Sequence, residues 1–254
     1  MAINAGAIPL YYSLFSHCSD EQRVVLMWLN NERVTSEVVS AWQTSLLAGC
    51  PHRVVIDGLF EPAMLDKVVK VLQQPDGWQT QQHTYDALYV DSAEWQRATT
   101  EQRFVQRDSW RPSPDDTGNN VAQQFLSFLR GEEFMALLSR IFKVVITDIN
   151  VADPNINTNF FRLGAADFVG QHADDSPGRE VCMLLYLNKA WQGDSGGELV
   201  FIGQDDQPVS IEPHYNRCVL FDPSSAGSEH WVERLNAEYA DQYRYNVTSW
   251  YWSE

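Results

Sequence analysis

The chain has 254 residues, 44% of them apolar and 12% aromatic, with 34 acidic against 18 basic residues and a formal net charge of −16. That apolar content supports a sizeable core and excludes a disordered chain, and no apolar run approaches the ~20 residues that span a bilayer. The acidic excess speaks against nucleic acid, whose affinity comes mainly from phosphate neutralisation, and suits a neutral or cationic substrate.

In chain order, the N-terminal MAINAGAIPLYYSLFS has no basic residue ahead of its apolar stretch and makes a poor secretory signal. Cys18, Cys50, Cys182 and Cys218 are scattered without a Cys-x-x-Cys pair and read as reduced thiols of a cytoplasmic protein. Ser19-Asp20-Glu21-Gln22 has the capping-box pattern ahead of Val24, Val25, Trp28 and Leu29, which predicts a first helix. A second is expected over 36–48, closed by Gly49 and Pro51. HRVVIDGLF (52–60) reads as a strand, and Pro62 opens a helix carrying Met64, Leu65, Val68, Val69 and Leu72. The loop-like RPSPDDTGNN (111–120) is a candidate mobile segment, followed by two short amphipathic helices separated by Gly131.

From about residue 144 the pattern changes. KVVITDINV, NTNFFRL, EVCMLLYLN, GELVFI, QPVSIEP, RCVLFD and YRYNVTSWYW are short, β-rich and separated by Gly, Pro, Asn and Asp. The expected architecture is therefore mainly β with flanking helices: a double-stranded β-helix, or jelly roll, packed against N-terminal helices. Residues 1–50 are expected to form a helical extension and 51–254 one domain, with its jelly-roll core at about 144–254.

His172 and Asp174 form a His-x-Asp pair. With six His and nineteen Asp in the chain, such a pair arises by chance about 0.4 times, so spacing alone carries no weight. His230, in GSEHWVE, adds a second imidazole beyond several predicted strands, whose ends a jelly roll can bring together. Two imidazoles and one carboxylate leave open positions on an octahedral ion, which suits non-haem Fe(II). A structural zinc site wants four protein ligands. Asp175 is the other carboxylate within reach, and the His-x-Asp spacing favours Asp174. His17, His52, His83 and His214 read as ordinary core or surface histidines. In RYNVTSWYW, strand alternation puts Arg244, Asn246, Thr248 and Trp250 on one face. An arginine projecting into an apolar barrel asks for an anion, and a carboxylate fits it bidentately.

Five segments carry a resemblance: GREVCMLLYLNKAW (178–191), SGGELVFI (195–202), IEPHYNRCVLFD (211–222), EHWV (229–232) and RYNVTSWYW (244–252). In this order the chain resembles the 2-oxoglutarate/Fe(II) dioxygenases of the prolyl 4-hydroxylase superfamily, particularly the hypoxia-factor prolyl hydroxylases and their bacterial relatives. The resemblance implies iron on His172, Asp174 and His230, with the distal carboxylate of 2-oxoglutarate on Arg244 and Tyr186. It implies Arg179 near the substrate entrance, O2 as co-substrate and ascorbate as reductant. It implies hydroxylation of a C–H with release of succinate and CO2, on a prolyl residue of a protein or on an amino acid. The carboxylate of Asp174 fills the place that related halogenases keep open for chloride. The chain departs from the family pattern where Phe161 stands for a common tyrosine; Asn159 or Asn157 would have to supply that hydrogen bond. The alternatives are a hydroxylase of a free, basic amino acid and a jelly-roll module that binds metal or ligand without turnover. RYNVT also resembles the tail of the nucleic-acid demethylases, which carry a second arginine where this chain has Trp250. Oligomeric state leaves no mark in the sequence.

Overall fold

The structure is a computed structural model that describes residues 28–113, 120–151, 154–205, 207–239 and 242–253. The capping box at 19–22 and most of the 111–120 loop lie outside the described residues.

The first half alternates helices with strands. Helix α1 (Ser36–Ala48) starts at Thr35, whose hydroxyl accepts from the Val38 N–H. Strand β1 (Arg53–Asp57) follows, then α2 (Pro62–Leu72) with Pro62 in its first turn. After β2 (Trp78–Thr84), α3 (Ser92–Arg97) and β3 (Arg103–Trp110) come α4 (Val121–Leu129) and α5 (Glu132–Phe142). The second half supplies β4 (Thr158–Leu163), β5 (Phe168–His172), β6 (Arg179–Tyr186), β7 (Leu199–Phe201), β8 (Val209–Ile211), β9 (Arg217–Phe221), β10 (His230–Val232) and β11 (Arg244–Trp252).

All pairings are antiparallel, in the order β1-β9-β6-β11-β4-β3-β5-β10-β7-β8, with β2 on the outer side of β3. The sheet curls into a jelly roll. Its β1, β2 and β3 come from ahead of residue 144, so the N-terminal half contributes strands as well as helices.

Strand β6 shows how the curl is filled. Val181, Met183 and Leu185 face α1, α2, α4 and α5, while Cys182, Leu184 and Tyr186 face the barrel interior against Leu199, Phe201, Val219 and Phe221. Because both faces are covered, this strand reads as a continuous apolar run rather than an alternation. On the helical side Trp28, Phe60, Phe125, Phe128, Phe134 and Phe160 form one aromatic cluster, with the Trp28 and Phe125 rings 4.8 Å apart.

One expected strand is absent. KVVITDINV leaves α5 through Lys143 in a left-handed turn, and the N–H groups of Thr147 and Asp148 both donate to the Trp252 carbonyl. Asp148 is itself left-handed, with φ of 50°. The segment therefore wraps the end of β11, and Val145 and Ile149 point into solvent.

Candidate metal and dicarboxylate site

The site forms where β5 and β10 meet. His172 ends β5 and His230 begins β10, and the two are directly opposed in the antiparallel register, with their rings 4.4 Å apart. Asp174 follows two residues after β5 ends. Its carboxylate reaches both rings: Oδ1 lies 3.7 Å from His172 Nε2, and Oδ2 lies 3.8 Å from His230 Nε2. One donor atom from each residue lies within 4.8 Å of the other two.

Each imidazole is oriented through its far nitrogen. His172 Nδ1 lies 2.9 Å from the Gly170 carbonyl and His230 Nδ1 lies 2.9 Å from the Ser228 carbonyl. Donation to a carbonyl fixes the proton on Nδ1 and leaves the Nε2 lone pair facing the cluster. Burial brings the His230 pKa down to about 4, with His172 adding to the effect and Asp174 opposing it. Its ring is therefore neutral at neutral pH, as a ligand must be. Burial alone would raise the Asp174 pKa, yet the two histidines, the Trp250 N–H and Arg179 together hold it below its ordinary value. The donor set of two imidazoles and one carboxylate fits a divalent metal with open positions.

Strand β11 builds the second half of the site. Arg244 is 1% exposed and lies above the Tyr186 ring, 4.8 Å from its centroid. Its Nε donates to the Gly197 carbonyl at 2.6 Å, and Nη1 donates to Asn246 Oδ1 at 2.9 Å. Asn246 Nδ2 donates in turn to Thr248 Oγ1 at 2.9 Å, and Trp250 Nε1 donates to Asp174 Oδ2 at 2.8 Å. The face expected from alternation is thus a ladder in which hydrogen bonds join Arg244, Asn246 and Thr248, and Trp250, next along the face, meets the carboxylate. Arg244 Nη2 and Tyr186 Oη are sealed from solvent without a partner among the described residues. Burial lowers the Arg244 pKa and pushes that of Tyr186 up to about 12. Two orphaned buried donors beside one another fit a carboxylate, since leaving either unmet costs about 1–3 kcal/mol or more. The residues present therefore fit both a metal and a dicarboxylate.

The close packing here depends on glycine. Gly197 has φ of +78°, and a Cβ on it would lie 3.0 Å from Arg244 Cδ and 2.9 Å from Trp191 Cζ2. Only the bare backbone lets its carbonyl approach the guanidinium.

The remaining expected residues are placed differently. Arg179 donates through Nη1 to the Asp174 carbonyl and lies over the Trp252 ring, so it braces the loop that carries the carboxylate. Asn159 is buried, and its carboxamide is engaged at both ends, accepting from Arg111 and donating to the Ile156 carbonyl. Asn157 sits in a short 3-10 turn ahead of β4. His52 and His214 face Asp222 and Glu212 at the surface, while His17 lies outside the described residues. His83 is closer to the site than the sequence suggested. Its ring packs edge-on to Phe104, which in turn contacts His172, and its Nε2 is buried without a partner among the described residues. Burial, with Arg107 and His172 adding, brings its pKa to about 4. Arg107 is a further member that the sequence reading passed over, and Trp250, placed there on the Arg244 face, had no part assigned at the carboxylate. The alternation Val105-x-Arg107-x-Ser109 in β3 was the available signal for the first.

Residues 158–252 match the family model of the 2OG-Fe(II) oxygenase superfamily. The mouse (Mus musculus) protein named prolyl 3-hydroxylase OGFOD1 is 26% identical over 154 residues, covering 57% of this chain and 27% of that protein. The chain thus spans little more than a quarter of that relative's length. Among solved structures, a Trichoplax adhaerens prolyl hydroxylase, in complex with a hypoxia-inducible-factor oxygen degradation domain peptide fragment, superposes with a TM-score of 0.58. It is 18% identical, over 94% of each chain. A Pseudomonas putida prolyl-4-hydroxylase superposes with a TM-score of 0.53 at 18% identity, over 84% of this chain and 98% of that one. At these identities the structural likeness speaks to the fold, which is the jelly roll of 2OG oxygenases. No helix among the described residues is long and apolar enough to cross a membrane.

Proposed function

We propose, from the premise that residues 158–252 belong to the 2OG-Fe(II) oxygenase superfamily, that the protein is an Fe(II)/2-oxoglutarate-dependent dioxygenase hydroxylating an unactivated C–H. The observation that carries the proposal is the convergence of His172, Asp174 and His230 at one end of a buried ladder that terminates in Arg244. In this reading the three side chains hold iron, Arg244 Nη2 and Tyr186 Oη hold the distal carboxylate of 2-oxoglutarate, and ascorbate keeps the metal reduced. Iron and 2-oxoglutarate, when bound, supply an oxidant from O2 and release succinate and CO2.

The chain's own residues do the rest. Gly170 and Ser228 fix the tautomers of the two histidines through their carbonyls. Trp250 and Arg179 orient the Asp174 carboxylate. The apolar lining of Leu184, Phe201 and Phe221 excludes water, which strengthens each polar contact and suppresses side reactions. A prolyl residue of a protein is the substrate class suggested by the names of the relatives.

Anaerobic titration with Fe(II) and 2-oxoglutarate tests the proposal. A weak visible charge-transfer band is expected, absent in His172→Ala and Asp174→Ala. A band unchanged in either variant would overturn the ligand assignment. Succinate release above background in air, on prolyl peptides or amino acids, separates an oxygenase from a jelly roll that binds without turnover.

A further inference from the structure

Strand β3 pairs with β4 through Ser109 and with β5 through Val105, and the intervening Arg107 shares their face of the strand. Val105 packs with Leu163, Val169 and Val232 inside the barrel, so Arg107 projects into the same interior. Its guanidinium lies over the Phe161 ring, with Cζ 3.4 Å from the ring centroid. Phe161 is opposed by Asn246 across β4 and β11, which puts Arg107 beside the ladder that ends in Arg244.

Among the described residues Arg107 makes no hydrogen bond and no ion pair, and its Nε is sealed from solvent. Asp108, its neighbour, is committed to Arg162 at 2.9 Å on the opposite face. Asp174 is within electrostatic reach, but that carboxylate already serves His172, His230, Trp250 and Arg179. Burial, more than any neighbour, brings the Arg107 pKa down to about 10, which leaves it cationic at neutral pH. The residue is partly buried, and its terminal nitrogens, unlike Nε, are not sealed, so a partly desolvated guanidinium without a counter-charge stands open to an incoming anion.

Charge balance in the loaded site says what is missing. The two charges of Fe(II) and that of Arg244 cancel the carboxylate of Asp174 and both carboxylates of 2-oxoglutarate. Arg179 and Arg107 are then both in excess; Arg179 is engaged with the Asp174 loop, which leaves Arg107 with a positive charge that a carboxylate neutralises. Resting on the oxygenase reading above, we infer that Arg107, backed by the Phe161 ring, binds a carboxylate of the primary substrate close to the carbon that is oxidised. That carboxylate is either the free α-carboxylate of an amino acid or an acidic side chain flanking a prolyl residue. A cationic substrate, which the overall charge suggests, is disfavoured at this position.

The test is binding under anaerobic conditions, where nothing turns over. Wild-type protein is loaded with Fe(II) and 2-oxoglutarate and titrated calorimetrically with two matched pairs: L-proline against L-prolinamide, and acetyl-Glu-Pro-Gly-amide against acetyl-Gln-Pro-Gly-amide. In one pair the acid is expected to bind about tenfold or more tightly than its amide, as losing a charge-assisted hydrogen bond predicts; which pair does so identifies the source of the carboxylate. The preference should vanish in Arg107→Met and survive in part in Arg107→Lys, with 2-oxoglutarate affinity, read from the visible band, within about twofold of wild type. If acids and amides bind alike in both pairs, or none binds, the inference fails. It also fails if Arg107→Met weakens 2-oxoglutarate as much as Arg244→Met does, for then Arg107 serves the co-substrate. A wild-type protein without the band would sink the oxygenase reading itself; a normal band without acid–amide discrimination sinks only the role of Arg107.

Discussion

Arg244 and Trp250 lie six residues apart on one strand and act at opposite ends of the site, so each can be tested through a separate partner. Trp250→Phe keeps an aromatic ring, though a smaller one, and removes the N–H that Asp174 accepts at 2.8 Å. Metal affinity is expected to fall about 10–100-fold, as for other partners of metal ligands, with the fold intact by circular dichroism. Equal Mn(II) affinity in the two proteins would refute that role. Gly197→Ala strains a left-handed turn and drives a methyl group against Arg244. Stability should drop by about 1–3 kcal/mol, and 2-oxoglutarate affinity should fall further than metal affinity, both readable in one anaerobic titration. Phe161 is legible in the sequence as a missing hydroxyl, but the guanidinium seated on it is not. Arg107 and Phe161 are 54 positions apart, and only the pairing of β3 with β4 brings them together.

Elements succeed or fail in the sequence according to whether local pattern and tertiary demand agree. Helices α1, α2, α4 and α5 were readable because Pro and Gly at their ends, or apolar spacing along them, marked them. KVVITDINV was misread because β-branched residues favour a strand, whereas the backbone there is claimed by the end of β11. What holds that wrap is a buried ion pair: Arg130, just after α4, meets Asp148, with side chains 7% and 4% exposed. Arg130 Nη1 also donates to the Trp250 carbonyl at 2.7 Å, and Asp148 Oδ1 accepts from the Trp252 N–H at 2.8 Å. Asp148→Ala leaves the guanidinium buried and unpaired, so a loss of about 3–5 kcal/mol is expected. Denaturant unfolding of Asp148→Ala and of the double variant Arg130→Met/Asp148→Ala checks this. The double variant should recover part of the loss, and a double variant less stable than Asp148→Ala would contradict the account.

For the molecule as a whole, the charge of −16 opposes compaction at neutral pH, so added salt should raise the melting temperature by screening it. Acidification acts in two opposite directions. From pH 8 toward about 5 the stability should hold or rise as repulsion weakens. Below about 4 it should fall, because Asp57 is held below its ordinary pKa by its hydrogen bond to Arg217, and Asp66 by Lys189 and Tyr215. A depressed folded-state pKa gives stability that is present above the unfolded value and lost as pH drops through the folded one. A melting temperature that rose steadily down to pH 3 would contradict this pairing. The sequence by itself determined the β-rich second half and the helices that cover it, and it marked His172, Asp174, His230 and Arg244 as candidates, because strand alternation and capping are local and the five resembling segments are contiguous. Only the tertiary structure decided that strands from the first half complete the sheet, that Arg179 braces Asp174, and that Arg107 enters the interior unpaired. Those facts depend on which distant strands become neighbours, and a strand's partner is fixed by packing across the whole barrel rather than by its own residues.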